Sequence, residues 1–218
     1  VAVALLLVAL LAAACQPTAP APGRAGPLKR VLVLGDSITY GLFGTTPQLD
    51  PTLRRMLTDR GVALHVTGFA GENPIDTYPA HFSWILRMQH EISTWDPDMV
   101  VIQSTLFAGP WSEERTQAYR IAMRQLLTLA KSRGAHVYLV SHHRAPSAND
   151  AYARDLSQQL QAEVAAEVGG VETIPLDWWM ERCTGGTVGD GWHLSAKGQN
   201  CHALAVVAAV DQLRGAIS

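Results

Sequence analysis

Short apolar runs alternate with stretches of 3.6-residue periodicity along most of the chain. Residues 31–35 read Val-Leu-Val-Leu-Gly, a continuous apolar run closed by glycine, which predicts a strand buried on both faces. Helical spacing follows over 50–60 with Gly61 as a stop signal, then a second strand over 62–68 and a helix over 81–95. Residues 98–103 give a third buried strand. The segment 113–133 has its apolar positions at Ile121, Leu126, Leu127 and Ala130, with Gly134 closing the helix. A strand over 136–141, a helix over 149–168, a strand over 171–176 and a helix over 195–213 complete the alternation. Strands separated by helices imply parallel β-α-β units with right-handed crossovers. The expected fold is therefore α/β, a three-layer α/β/α sandwich on a mainly parallel sheet of about five strands.

The first fourteen residues are all Val, Ala or Leu, which suits the core of a signal peptide and falls short of the ~20 residues a membrane-spanning helix needs. No basic residue precedes them. The run ends Leu11-Ala12-Ala13-Ala14-Cys15, which resembles a bacterial lipobox, in which cleavage before the Cys leaves its thiol to carry diacylglycerol. The other reading is Ala-x-Ala cleavage of a secreted protein. Residues 16–27 are rich in Pro, Ala and Gly without periodicity, as in an extended tether. The expected organisation is a signal peptide at 1–14, a lipobox Cys and tether at 15–28, and one folded domain at 29–218. Export follows from this reading, to the cell envelope or beyond, with a lipid on Cys15 as the sole membrane attachment.

A chain of 218 residues with 48% hydrophobic content and 17% charged residues has room for one such domain and a substantial core. The formal net charge of -2 and the lack of any Lys/Arg run argue against nucleic acid as a partner.

In a parallel sheet the ligand chemistry sits outside the carboxyl ends of the strands, so the positions after Leu34, Gly68, Gln103, Ser141 and Leu176 are the ones to inspect. The first reads Gly35-Asp36-Ser37-Ile38-Thr39-Tyr40-Gly41. A serine just after a buried strand can present its hydroxyl while nearby N–H groups stay free for an oxyanion; alone, it is equally a helix N-cap or a turn serine. A serine hydroxyl also needs a base and a group that fixes the base's tautomer. Asp190-Gly191-Trp192-His193-Leu194-Ser195 supplies a carboxylate and an imidazole three residues apart, before a helix.

The two blocks together resemble those of the SGNH (GDSL-like) hydrolase family, whose nucleophile lies in Gly-Asp-Ser and whose last block is Asp-x-x-His, typically followed by Leu-Ser and a Gly, here Gly198. The resemblance covers roughly 31–213. It implies an SGNH/flavodoxin-like fold and an ester hydrolase with Ser37 as nucleophile, His193 as base and Asp190 as the acid that orients it. No metal or organic cofactor is needed by that family. Its second block contributes a Gly N–H to the oxyanion hole, and Gly71 in Gly68-Phe69-Ala70-Gly71-Glu72-Asn73 is the best match; a plain turn is the alternative. The chain departs at the third block, where the family has Gly-x-Asn-Asp and this sequence reads Gln103-Ser104-Thr105-Leu106-Phe107-Ala108-Gly109. Some SGNH domains related to polysaccharide acyltransferases also lack this Asn. Asn73 is the first candidate for the missing donor beside the N–H of Ser37 and Gly71, with Thr105 next; Gln103 and Ser104 lie nearer the strand.

The implied substrate is an O-acyl ester of a small molecule or a glycan. An O-acyltransferase acting on cell-envelope glycan and a catalytically silent glycan-binding lipoprotein are the alternatives. His142 and His143 end strand four without a carboxylate or Cys at ligand spacing, so solvated loop histidines are expected rather than a metal site. Trp111, Trp178 and Trp179 read as packing or as an acyl or sugar pocket. Asp177 is an alternative acid, but it is farther in sequence from His193 than Asp190. Cys183 and Cys201 bracket the Asp-x-x-His segment, and in an exported protein a bridge between them is expected over two buried thiols.

Overall fold

The Val-Leu alternation of the first strand divides its side chains between two cores. Val31 and Val33 enter one apolar cluster and Leu32 and Leu34 the other, and all four are fully buried. In the computed structural model, which describes residues 26–41, 46–68, 70–71, 73–75, 83–104, 112–144 and 147–217, this is strand β1 (Arg30–Gly35). It lies between β2 (Ala63–Gly68) and β3 (Met99–Gln103), followed outward by β4 (His136–Val140) and β5 (Val171–Ile174). The order is β2-β1-β3-β4-β5 and every pairing is parallel. The strand order reverses between β1 and β3, which places a crevice at their carboxyl ends.

The helices are α1 (Ser37–Tyr40), α2 (Leu49–Thr58), α3 (Trp84–Thr94), α4 (Glu113–Lys131), α5 (Ala148–Val168), α6 (Leu176–Glu181) and α7 (Ala196–Ile217). Leu49, Leu53 and Leu57 of α2 and Val206, Val210 and Leu213 of α7 cover the Val31/Val33 face. Trp84 and Met88 of α3, Met123 and Leu127 of α4, and Leu160 and Val164 of α5 cover the Leu32/Leu34 face. The result is the three-layer sandwich that the alternation predicts. Ser83, Ser112 and Ser147 cap α3, α4 and α5 by accepting backbone N–H bonds.

Two local expectations are corrected. Ile121 is 44% exposed; the buried stripe of α4 runs instead through Tyr119, Ala122, Met123, Leu126, Leu127 and Ala130. Tyr119 supplies the apolar anchor the pattern credited to Ile121, because its ring is buried while its hydroxyl is held by Gln161 Nε2 at 2.7 Å. Leu176 leaves the fifth strand and starts α6, where Pro175 interrupts the strand's backbone donors.

Two glycines have no substitute here. A Cβ at Gly68, whose φ is +130°, would sit 1.8 Å from the Gly35 carbonyl oxygen, so the carboxyl ends of β1 and β2 close up only because Gly68 carries no side chain. A Cβ at Gly198 would sit 1.8 Å from the Gly186 carbonyl oxygen, which lets α7 pack onto the segment before it.

Cys183 and Cys201 are joined as a disulfide that links the end of α6 to the second turn of α7, with 18 residues of separation. A loop of that length is stabilised by about 3 kcal/mol when crosslinked, mainly by restricting the unfolded chain. The Cys183→Ser/Cys201→Ser double variant is therefore expected to unfold at lower denaturant than the parent. Urea titrations monitored by circular dichroism should show a loss of about 3 kcal/mol, and equal midpoints would rule the crosslink out as a stabilising element.

Among the described residues, no helix is long and apolar enough to cross a membrane. The Cys15 and signal-peptide expectations lie outside the described residues, as do Thr105 and Trp111.

Candidate active site

The chain leaves β1 directly into α1. Asp36, not Ser37, is the N-cap: its Oδ1 accepts the Ile38 N–H at 2.9 Å, and its carbonyl accepts from Thr39 and Tyr40. Ser37 is consequently the first helical residue, and its N–H has no acceptor among the described residues. The turn is fixed from two sides. Thr39 Oγ1 donates to Gln103 Oε1 at the end of β3 (2.9 Å), and Gln199 Nε2 of α7 donates to the carbonyl oxygens of Ile38 (2.7 Å) and Pro47 (3.0 Å).

The second half of the site is built by the segment between α6 and α7. The Asp190 carboxylate folds back on its own turn, with Oδ1 accepting the N–H of Trp192 at 2.8 Å and of His193 at 2.9 Å. Oδ2 stands 2.6 Å from His193 Nδ1, and His193 Nε2 stands 3.0 Å from Ser37 Oγ. One hydrogen-bonded line thus runs from a carboxylate through an imidazole to a hydroxyl, across 156 residues of sequence. The turn's base is tied down by the Val188 N–H to the His193 carbonyl, by Ser195 Oγ to the Gly185 carbonyl, and by the Cys183–Cys201 bridge. Burial would raise the Asp190 carboxyl, but the bonds from the His193 ring and from the His193 and Trp192 N–H groups outweigh it and hold the group below its ordinary value. It remains a carboxylate able to fix the imidazole with its proton on Nδ1.

Around this line the structure places the remaining candidates. Gly71 is exposed with φ +81°. Asn73 is 4% exposed, and its Oδ1 accepts the Ile75 N–H at 3.0 Å, so the side chain is oriented by its own turn. Gln103 faces Thr39, and the Ser104 hydroxyl lies 3.3 Å from that of Tyr119. Asp177 does not approach His193: it sits in the first turn of α6 and accepts from Ser141 Oγ at 2.6 Å. Trp178 is 46% exposed with the Arg182 guanidinium over its ring, and Trp179 packs against the core.

The expectation of solvated histidines at 142 and 143 is corrected. Both are 3% exposed, because the β4 end passes under α5 and the Asp190–His193 turn. His142 Nε2 lies 3.2 Å from Ser157 Oγ of α5. The His143 ring meets the Trp192 ring edge-on, with centroids 6.1 Å apart. Burial holds the His143 ring below its ordinary value, against the Trp192 backbone, which favours its charged form, and its Nε2 has no partner. His202 of α7 is fully buried with neither ring nitrogen partnered. Sequence reasoning passed over Gln199 and His202, whose helical spacing looks like any solvent-facing position. Among the described residues no group of three or more His, Cys, Asp or Glu is placed to hold a metal ion.

Desolvation pushes both His142 and His202 down to about 3, with neighbouring charge on His143 adding to it in each. For His142, Arg154 lowers further and Asp177 raises. The unfolded chain takes up these protons near pH 6.5 and the folded chain only near 3, so stability is full above about 6.5 and falls as pH drops below it. Each such group accounts for roughly 1 kcal/mol per pH unit in that window. His202→Leu is expected to reduce the acid sensitivity, read as the change in urea midpoint between pH 7 and pH 5. A variant with the parent's full pH 5 loss would show that His202 is not a source of it.

A cleft of about 940 Å³ borders the same turn, with His143 and Gly191 in its wall.

Comparison with known proteins matches residues 33–201 to the GDSL-like Lipase/Acylhydrolase family. The chain belongs to that family. Its members' fold is also found among solved structures. LAE5, an alpha/beta hydrolase enzyme from the metagenome of Lake Arreo, Spain, shares 19% identity over 87% of this chain and 98% of its own, with TM-score 0.63. A family 3 carbohydrate esterase of Clostridium thermocellum shares 18% over 88% of this chain and 100% of its own (TM-score 0.61). The esterase EstA of Pseudoalteromonas sp. shares 13% over 85% and 98% (TM-score 0.64). No curated protein matches. As a GDSL-like family member the chain is an ester hydrolase of the SGNH type.

Proposed function

We propose that this protein is an exported serine esterase that removes an O-acyl group from a small-molecule or glycan alcohol, working through Ser37, His193 and Asp190. The observation that carries the reading is the Asp190–His193–Ser37 line, with its 2.6 Å and 3.0 Å links. A serine hydroxyl beside an unprotonated Nε2, whose Nδ1 proton is held by a carboxylate, is poised to lose its proton as it attacks. His193 takes that proton while Ser37 Oγ bonds to the ester carbonyl carbon. The N–H of Ser37, without another acceptor among the described residues, and the N–H of Gly71 receive the developing oxyanion. As the carbon–oxygen bond to the alcohol breaks, His193 returns the proton to the departing oxygen. Water, deprotonated by His193, then releases the acid and restores Ser37. Export rests on the apolar residues 1–14 and, for a lipid-anchored form, on Cys15. The carbohydrate esterase among the similar folds favours a sugar-borne ester. Hydrolysis of 4-nitrophenyl acetate by the purified protein tests the reading, and its absence would remove it.

We assign the third oxyanion donor to Asn73, which is buried in the loop that carries Gly71 and whose Oδ1 is held by the Ile75 N–H. Loss of an oxyanion donor lowers turnover by about 100- to 1000-fold. Asn73→Ala is expected to lower kcat on 4-nitrophenyl acetate by at least ~100-fold, in protein that circular dichroism shows to be folded. A kcat within a few-fold of the parent would leave a two-amide hole.

A further inference from the structure

Trp192 stands between the acid and the base of the hydrogen-bonded line. Its N–H donates to Asp190 Oδ1 at 2.8 Å and the next residue is His193, so any movement of Trp192 shifts both partners of the 2.6 Å Asp190–His193 bond. The turn itself is open to solvent, with the Asp190 side chain 42% exposed. Against it lies His143, 3% exposed, whose ring meets the Trp192 ring at a centroid distance of 6.1 Å and an interplanar angle of 83°. We propose that His143 is a positioning residue: from the end of β4 it holds Trp192, and with it Asp190 and His193, in line with Ser37.

The segment that carries His143 is itself anchored on several sides. Ser141 donates its N–H to the Ile174 carbonyl of β5 (2.9 Å) and its hydroxyl to Asp177 of α6 (2.6 Å), and His142 Nε2 lies 3.2 Å from Ser157 Oγ of α5. The Val188 N–H and the Cys183–Cys201 bridge tie the turn to itself and to α7. His143 joins it to the sheet whose strand β1 delivers Ser37. That alignment matters, because a displacement of about 1 Å can cost about 100-fold in rate.

The choice of an imidazole supports a functional role over mere filling of space. His143 Nε2 is buried without a hydrogen-bond partner among the described residues, which costs stability that a Phe or Leu in its place would not cost. What the imidazole adds is a polar ring beside the Trp192 backbone. Burial, then the charges of His193 and Arg154, keep that ring neutral against the Trp192 backbone and Asp190, so it sets no second charge beside the imidazolium that His193 becomes during turnover.

This role rests on the esterase reading, and amide exchange tests it apart from turnover. His143→Phe and the smaller His143→Leu are each expected to unfold at urea midpoints at or above the parent's, since each removes the stranded nitrogen. Both are expected to lower kcat on 4-nitrophenyl acetate by about 10- to 100-fold per site titrated with a fluorophosphonate, with KM within about twofold. In NMR hydrogen exchange, the Trp192 and His193 amide protons held by Asp190 Oδ1 should exchange faster, while those of β3 should not. A kcat per site within about twofold of the parent would overturn the assignment. So would losses that track a lowered urea midpoint and faster exchange throughout the sheet, the behaviour of a side chain that only fills the core. Should the parent hydrolyse no ester, the esterase reading falls and exchange alone decides: faster exchange confined to Trp192 and His193 keeps His143 as the residue that positions the turn, and unchanged rates remove it.

Discussion

Ser37→Ala and His193→Ala are each expected to lower kcat by roughly 10⁶-fold, and the double variant is expected to lose no more than either alone. The reason lies in the 3.0 Å contact between Oγ and Nε2. Without the hydroxyl, the imidazole has no proton to take; without the imidazole, the hydroxyl keeps its proton and stays a poor nucleophile. Two residues that act as one unit cannot be subtracted twice. The residual rate would come from the oxyanion donors and substrate binding, which persist in either variant. Steady-state kinetics on 4-nitrophenyl acetate for the two single variants and the double check this. Additive losses would mean that Ser37 and His193 contribute through separate routes, contrary to the geometry.

Asp190→Asn is expected to cost about 10⁴-fold in kcat while leaving the turn folded. The Asn side-chain oxygen can still accept the Trp192 and His193 N–H bonds that Oδ1 now takes. Its other end becomes a donor, however, and an amide N–H facing Nδ1 forces the ring proton onto Nε2. The imidazole then presents a proton to Ser37 where it should present a lone pair. KM should change much less than kcat, because Oδ2 acts on the imidazole and Oδ1 on the turn's own N–H groups. Thermal unfolding should shift little for Asp190→Asn and further down for Asp190→Ala, which also strands two backbone N–H groups. Equal kcat for Asn and Asp at position 190 would deny the carboxylate its orienting role.

The strands were readable because β1, β3 and β4 are covered on both faces, so their segments carry almost no polar residue to blur the pattern. Helix positions were less secure. Ile121 looks apolar enough to belong to the core, yet the side that packs on the sheet is set by Tyr119 and Met123, and a tyrosine with a satisfied hydroxyl does not announce itself as buried. α1 and α6 are too short for any periodicity to register, and α1 in particular is held by Asp36, Gln103 and Gln199 from three separate parts of the chain. Ser37, Asp190 and His193 stood out through the resemblance of their two blocks to those of the SGNH family, since a lone serine after a strand reads equally as a cap or a turn. The histidines could not be placed in the same way. Whether His142, His143 and His202 face water depends on how α5, α7 and the Asp190–His193 turn close over the end of β4, which no local pattern encodes. The third oxyanion donor has the same difficulty, since an Asn is assigned by where its turn aims it, and Asn73 is aimed by a bond to Ile75 two residues on.

The central claim is that Ser37 carries the acyl group, and covalent labelling tests it most directly. Treating the protein with an alkyl fluorophosphonate and mapping peptides by mass spectrometry should place a single phosphonyl group on Ser37, at one equivalent per chain, and none on the Ser37→Ala variant. A label on another residue, or one that persists in Ser37→Ala, would contradict the account.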